Sequence, residues 1–303
     1  MTSVPSETFS VADAVERVAP SVAGVRARRL GTSSAFCWRP GVLVTAASAV
    51  GHADRVQVVL ADGSAVAGSV RGIDPGTDLA VVSAEGDWPV VERRLDPPAR
   101  VGDFVFAVGR DAAGMVHASF GRIGAVAGGW RSWRGASLDR YVRLDGGLYP
   151  GHMGAPVCDA QGQVLGLASA ALARHHGIVV PAATIDKVVD ALLAHGRVRR
   201  GHLGIAAQSV PLSPAMRTAA DVDSDTGLLV AGVGEGSAAA RAGMLVGDVL
   251  VSVGGRPVSS IEALRDLLTG DQIGSRLRVV LLRGGARQEL SVEVDEKRWQ
   301  GRC

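Results

Sequence analysis

Apolar residues return at three- and four-residue intervals in VADAVERV (Val11 to Val18), with charged residues between them, and Pro20 follows. That spacing predicts a short amphipathic helix stopped near the proline. Beyond it the helical period is lost. Val22 to Val25, Gly41 to Thr45, Val56 to Leu60, Leu79 to Val82, Phe104 to Val108, Val164 to Leu167 and Ile178 to Val180 are short runs rich in Val or Leu, separated by Gly, Pro or Asp. They predict strands at a spacing that suits a barrel or a sandwich. Ala61-Asp62-Gly63, between VQVVL and SAVAGSV, reads as a hairpin turn. The helical period comes back over Ala183 to Ala194, where Ile185, Val188, Val189, Leu192 and Leu193 share a face before His195-Gly196 stops the run. This helix marks a domain boundary. About one hundred residues follow: GHLGIAAQSV, GLLVAGV, a helix through Ala238 to Ala242, a strand DVLVSV, a hairpin at Gly254-Gly255, a helix from Ile261, and the strands LRVVLL and ELSVEV. Ser259 with Glu262 three residues on predicts a capping box for the last helix. The pattern yields two domains, one all-β and one α+β.

Composition agrees with that division and removes several function classes. A chain of 303 residues exceeds the usual single domain, and 47% hydrophobic against 20% charged residues excludes disorder. Glycine, at 40 residues, is about twice its average use and follows no G-x-y period, so collagen is excluded and repeated tight turns are expected. The net charge is +2, and the densest basic stretch, Arg197 to Arg200, is four residues closing a helix. Nucleic acid is therefore not the expected partner. Cys37, Cys158 and Cys303 are too scattered for a zinc set or a disulfide framework and read as free thiols; His175-His176 lacks further ligands and reads as a surface loop. No metal and no cofactor are expected. The first eighteen residues carry no signal-peptide pattern and no 18-residue apolar run exists, which reads as a cytoplasmic chain without a membrane span.

Several segments then carry a resemblance. GVLVTAASAV (Gly41 to Val50) looks like the strand and turn that end in T-A-A-H, or T-N-A-H-V-V, in chymotrypsin-like proteases. VVLADGSAVAGSVRGIDPGTDLAVV (Val58 to Val82), RVGDFVFAVGR (Arg100 to Arg110) and YVRLDGGLYPGHMGAPV (Tyr141 to Val157) are similar to successive stretches of the HtrA/DegP-like family, and RVRRGHLGI (Arg197 to Ile205) resembles its junction into a PDZ domain. The likeness covers about residues 11 to 296 in order. It implies a mainly β fold, a chymotrypsin-like double β-barrel followed by an α+β PDZ domain. The implied boundaries are a trypsin-like domain at 1–182, a linker helix at 183–200, the PDZ domain at 201–296 and a tail at 297–303. The location expected is periplasmic instead if the amino terminus is a trimmed one, and the family's trimers imply a homo-oligomer, with Phe9 the lone aromatic candidate near the amino end.

The family reaction uses His, Asp and Ser in that chain order. Here the resemblance places Ser48 at the histidine, Asp78 at the aspartate and Met153 at the serine, with a vestigial oxyanion loop at Gly151, His152 and Met153. A thioether has no proton to give, and a serine hydroxyl is no general base near neutral pH. The expectation is a chain that is not an enzyme, with Asp78 capping a backbone N–H or pairing with Ser48. Ala155, Tyr149 and Leu144 replace smaller or more polar family residues and suggest a filled cleft. The second domain keeps a carboxylate-binding loop, His202-Leu203-Gly204-Ile205, with Leu264 and Leu268 lining a pocket for the last side chain of a peptide. Trp130 and Trp133 fall where HtrA proteins carry contact loops. The resulting expectation is a pseudoprotease that binds peptides or protein carboxyl termini as a scaffold or regulator. Two alternatives stand beside it: an active serine endopeptidase with displaced catalytic residues, and a structural subunit with a closed PDZ groove.

Overall fold

In the computed structural model, residues 10–27, 31–94, 96–173, 176–268 and 270–296 are described; Phe9, His175 and Cys303 lie outside them, as does the tail from residue 297. Helix α1 (Val11–Val18) buries Ala14 and Val18 and runs into a short 3-10 turn containing Pro20. Six strands then close a first barrel: β1 (Val22–Arg26), β2 (Thr32–Arg39), β3 (Val42–Ala46), β4 (Arg55–Val59), β5 (Ala65–Asp74) and β6 (Leu79–Ala84). A single helical turn, α2 (Ala47–Val50), follows β3. The barrel order is β1-β2-β3-β6-β5-β4 with every pair antiparallel. The hairpin at Asp62-Gly63 joins β4 to β5, and Asp62 accepts the Ser64 N–H at 2.9 Å.

The second barrel contains β7 (Phe104–Arg110) and β8 (Val116–Ala127), then, after a two-residue ladder of β9 (Trp130–Arg131) on β10 (Ser137–Leu138), the strands β11 (Tyr141–Leu144), β12 (Pro156–Asp159), β13 (Val164–Ser169) and β14 (Ile178–Pro181). Its order is β11-β14-β13-β12-β7-β8. Alternation along the strands divides the apolar residues between two faces. Val105, Ile123, Val142, Leu165 and Val179 fill the second barrel, and Val25, Leu43, Val58 and Val82 fill the first. Their neighbours on the opposite face, including Phe36, Trp38, Leu79, Phe106, Val108 and Ile178, form a third cluster between the barrels, joined by Ile185 and Leu192 of helix α3 (Ala182–His195). Asp186 fastens α3: it accepts Trp38 Nε1 at 2.9 Å and pairs with Arg39 at 3.3 Å and Arg93 at 2.9 Å. Cys37 and Cys158 are buried free thiols, and burial pushes both up from the ordinary thiol range.

From Arg199 the chain forms a second compact unit. Its elements are β15 (Gly201–His202), β16 (Ile205–Pro211), α4 (Pro214–Ala220), β17 (Thr226–Val233), α5 (Ala238–Arg241), β18 (Val249–Val253), β19 (Arg256–Pro257), α6 (Ile261–Leu267), β20 (Arg276–Arg283), β21 (Ala286–Glu293) and β22 (Asp295–Glu296). The main sheet runs β16-β17-β18-β20-β21, with β19 on β18, and β15 pairs with β22. Leu203, Leu228, Val230, Leu250, Leu264 and Leu281 share its core. The fold is mainly β, two six-stranded barrels of the chymotrypsin type followed by a PDZ domain.

Two local readings are corrected. The serine that caps α6 is Ser260, whose hydroxyl accepts the Ala263 N–H at 3.0 Å, so the cap lies one residue beyond Ser259 and, with Ala263 at the third position, forms no capping box. Adjacent serines are equivalent by composition, and the first buried turn of α6 decides between them. Helix α4 was not legible in the apolar pattern because only Ala220 is buried in it; its start is fixed by Ser213, which accepts the Met216 N–H.

Candidate functional site

The segment from Tyr149 to Ala155 is a loop tied down on both sides. Within it His152 N–H donates to Tyr149 and Ala155 N–H to His152, each at 3.1 Å. From the first barrel Ser34 reaches it twice: its N–H donates to the Met153 carbonyl at 2.9 Å and its hydroxyl to the Gly151 carbonyl at 2.7 Å. From the second, Gly154 N–H donates to Ala168 at 2.9 Å. Gly154 has φ +78, and a Cβ there would lie 2.4 Å from the Ser34 oxygen and 2.6 Å from Thr45 Oγ1, so only glycine fits. Among the described residues the N–H groups of Gly151 and Met153 have no hydrogen-bond partner. Two unpaired donors in such a loop are suited to an oxyanion.

Asp78 is wholly buried at the start of β6 with φ +56. Asp74 shapes the preceding turn by accepting Thr77 Oγ1 at 2.7 Å. The Asp78 carboxylate then accepts the Ser48 N–H at 2.8 Å and the Ser169 hydroxyl at 2.6 Å. Desolvation raises its pKa above the ordinary carboxylate value, and the hydrogen bonds from Ser169 and Ser48 pull it back in part. Met153 is half-buried, and its sulfur accepts the Ala170 N–H at 3.4 Å, one residue from Ser169. Contacts therefore run Ser48, Asp78, Ser169, Ala170, Met153, with Ser169 the member that sequence reading did not find.

His152 is buried, 4% exposed, and its Nε2 lies 3.1 Å from Nδ1 of His117 on β8. Its own Nδ1 is buried without a partner. Burial, and then the neighbouring His117, lower His152 to about 4. His52 is exposed on the surface. Of the three residues expected to fill the cleft, Leu144 and Ala155 are buried, but Tyr149 is 69% exposed and fills nothing. Leu148 and Leu144 crowd Gly177, where a Cβ would lie 3.1 Å and 3.0 Å from them. Trp133 is exposed, stacked on by Arg134 and bonded through Nε1 to the Ala171 carbonyl at 3.1 Å.

In the second unit Gly204 has φ +81 between Leu203 and Ile205, and a Cβ on it would meet Ser237 at 2.2 Å. Ile205 opens β16, the end strand of its sheet, which is hydrogen-bonded on one side to β17. Leu203, Leu264 and Leu268 are packed in the core at 1%, 5% and 6% exposure, while His202 and Ile205 are half-buried. Among the described residues no three His, Cys, Asp or Glu side chains cluster as a metal site.

Residues 33–167 match the family described as a trypsin-like peptidase domain, and residues 201–294 match a PDZ domain. HhoB of Synechocystis sp., named a serine protease, is 34% identical over 281 residues, which cover 88% of this chain and 66% of that protein. The periplasmic serine endoprotease DegP of Escherichia coli is 27% identical over 263 residues, 84% of this chain and 55% of DegP. The chain thus spans about half to two thirds of the length of these curated relatives. Among solved structures, the serine endoprotease from Yersinia pestis superposes with a TM-score of 0.77 at 25% identity, covering 98% of this chain and all of that one. The HtrA-type protease AlgW with a tripeptide gives 0.74 at 27% identity, covering 96% and 98%.

Two expectations fall to these findings. The matched relatives are named serine protease and serine endoprotease, which overturns the reading of this chain as not an enzyme. The inference had rested on side-chain chemistry at two positions, whereas the likeness extends over both domains. DegP is named periplasmic, so the cytoplasmic placement has no support; no helix among the described residues is long and apolar enough to cross a membrane.

Proposed function

This chain is homologous to the HtrA/DegP serine proteases, a trypsin-like peptidase domain followed by one PDZ domain, and from that premise we propose that it recognises peptides or protein carboxyl termini through the PDZ domain. The observation that carries this reading is the free edge of β16 directly after Gly204. An incoming peptide adds there as a further strand, and its carboxylate is received by the backbone of His202, Leu203, Gly204 and Ile205. Leu203, Leu264 and Leu268 form the floor for the last side chain. Because that floor is packed in the free protein, the preferred last residue is small and apolar, Ala or Val rather than Phe. The domain division that goes with this reading is 1–182, 183–200 and 201–296, with a tail to 303.

A C-terminal peptide library tests it on the full chain. Saturable binding that prefers small apolar ends is expected, and Gly204→Ala is expected to weaken it by about tenfold or more, since the new methyl must displace Ser237 or the loop backbone. Binding to no member of the library would favour the structural subunit with a closed groove.

In the peptidase domain we assign Ser48, Asp78 and Met153 to the positions of the family's His, Asp and Ser. Support comes from the contact path through Ser169 and from the two unpaired loop N–H groups beside it. Ser48→His combined with Met153→Ser is expected to raise casein hydrolysis over the parent chain by roughly 100-fold or more, the scale of a positioned general base and nucleophile. An unchanged rate in a folded double variant would remove those residues from the catalytic positions.

A further inference from the structure

Away from both sites, a cleft of about 330 Å³ opens on the second barrel. Its volume is at the small end of the range that ligand pockets occupy, roughly 300–1,000 Å³. Val142, Leu165 and Val179 form its floor and belong to the apolar cluster that fills the barrel, so the cleft gives onto the barrel interior. Pro97 and Pro98, both exposed, also line it.

Four charged residues line it, and they divide into two kinds. Arg94 is neutralised within the protein by Asp159 at 3.4 Å and Asp103 at 3.6 Å. Asp139 is neutralised by Lys187 and accepts the Thr184 hydroxyl at 2.7 Å. The other two are Arg140 and Asp96. Among the described residues the guanidinium of Arg140 and the carboxylate of Asp96 make no hydrogen bond or ion pair, with each other or with anything else. A ligand with only a negative charge would satisfy Arg140 and face Asp96 unfavourably; a cation would do the reverse. A neutral apolar ligand would make use of neither charge.

We propose that this cleft binds a small zwitterion with an apolar side chain, an apolar α-amino acid or a short apolar peptide. Its carboxylate meets Arg140, its ammonium meets Asp96, and its side chain rests on Val142, Leu165 and Val179. Opposite charges on one small molecule match opposite unpaired charges lining one cleft, and the apolar residues supply the rest of the contact.

Calorimetric titration of the full chain with L-leucine, L-phenylalanine and the dipeptide Leu-Leu tests this, with N-acetyl-leucine, leucinamide and glycine as comparisons. At least one of the first three is expected to bind saturably, and about tenfold or more tighter than each comparison compound. Arg140→Gln is expected to abolish the preference over leucinamide, and Asp96→Asn the preference over N-acetyl-leucine. Leucine binding without Leu-Leu identifies the free amino acid as the ligand, and the reverse identifies the peptide. Absence of saturable binding up to about 10 mM, or equal affinity for leucine and both blocked forms, overturns the proposal. So does binding unaltered in both variants, whose folding is checked by circular dichroism. Both side chains line the cleft, and among the described residues neither makes a hydrogen bond or ion pair that would hold another element in place. Ala183→Trp, which places an indole at the cleft from α3, is a steric counterpart expected to remove binding without touching either charge.

Discussion

His152 shows how one side chain of the loop ties its state to pH. The folded protein holds the imidazole neutral down to about 4, below the ordinary 6.5, because burial disfavours the cation first and His117 opposes a second charge. The unfolded chain takes up that proton near 6.5. Stability is therefore fully present above about 6.5 and falls as the pH drops through the window to about 4, by an amount on the order of 3 kcal/mol. His152→Gln cannot take the proton, so its urea midpoint is expected to fall less than the parent's between about pH 7 and about pH 4.5. Equal falls in the two proteins would mean that His152 does not govern the window. Gly154 acts differently, through space alone: Ser34 and Thr45 occupy the volume that any Cβ would need.

Among the elements, α3 is held by several polar side chains: Thr184 and Lys187 reach Asp139, Asp190 pairs with Arg39, and Asp186 meets Trp38. Asp186 takes the indole N–H of buried Trp38 and two arginines, and Arg93 lies over the Trp38 ring at 4.9 Å. Asp186→Ala leaves that N–H unsatisfied and is expected to cost roughly 2 kcal/mol, with the half-exposed arginine pairs adding little. Thermal unfolding followed by Trp fluorescence measures it; a loss within error of zero would mean that Asp186 does not stabilise the attachment of α3. That apolar face was legible in sequence because Ile185, Val188, Val189 and Leu192 recur at helical spacing; Leu193, read with them, is 42% exposed. The strands that were legible are likewise those rich in Val and Leu. β2 was not, because TSSAFCWR mixes polar and aromatic residues, and β8 was not, because Gly121 and Gly124 interrupt it. In the site, Asp78 was legible from the TDLA segment, but Ser169 is 91 residues away and His117 is 35 from His152. Such pairings are set by barrel closure, which no local pattern encodes.

For the whole molecule, both domains were legible because motifs of each occur in order along the chain, and contacts divide it between Val198 and Arg199. The carboxy-terminal unit has its own core around Leu203, Leu228 and Leu281. Residues 199–303 expressed alone are expected to fold and to bind the selected carboxyl-terminal peptide within about threefold of the full chain, as measured by fluorescence anisotropy. A larger loss would mean that the peptidase unit contributes to the site. The two barrels do not divide in this way. Phe36, Trp38 and Leu79 from one, Phe106 and Ile178 from the other, and Ile185 from α3 share one apolar cluster lying outside both barrel interiors. A half carrying one barrel would expose that face to water, so the pair melts in a single cooperative step, and a cleavage between them yields fragments that must reassociate to regain structure.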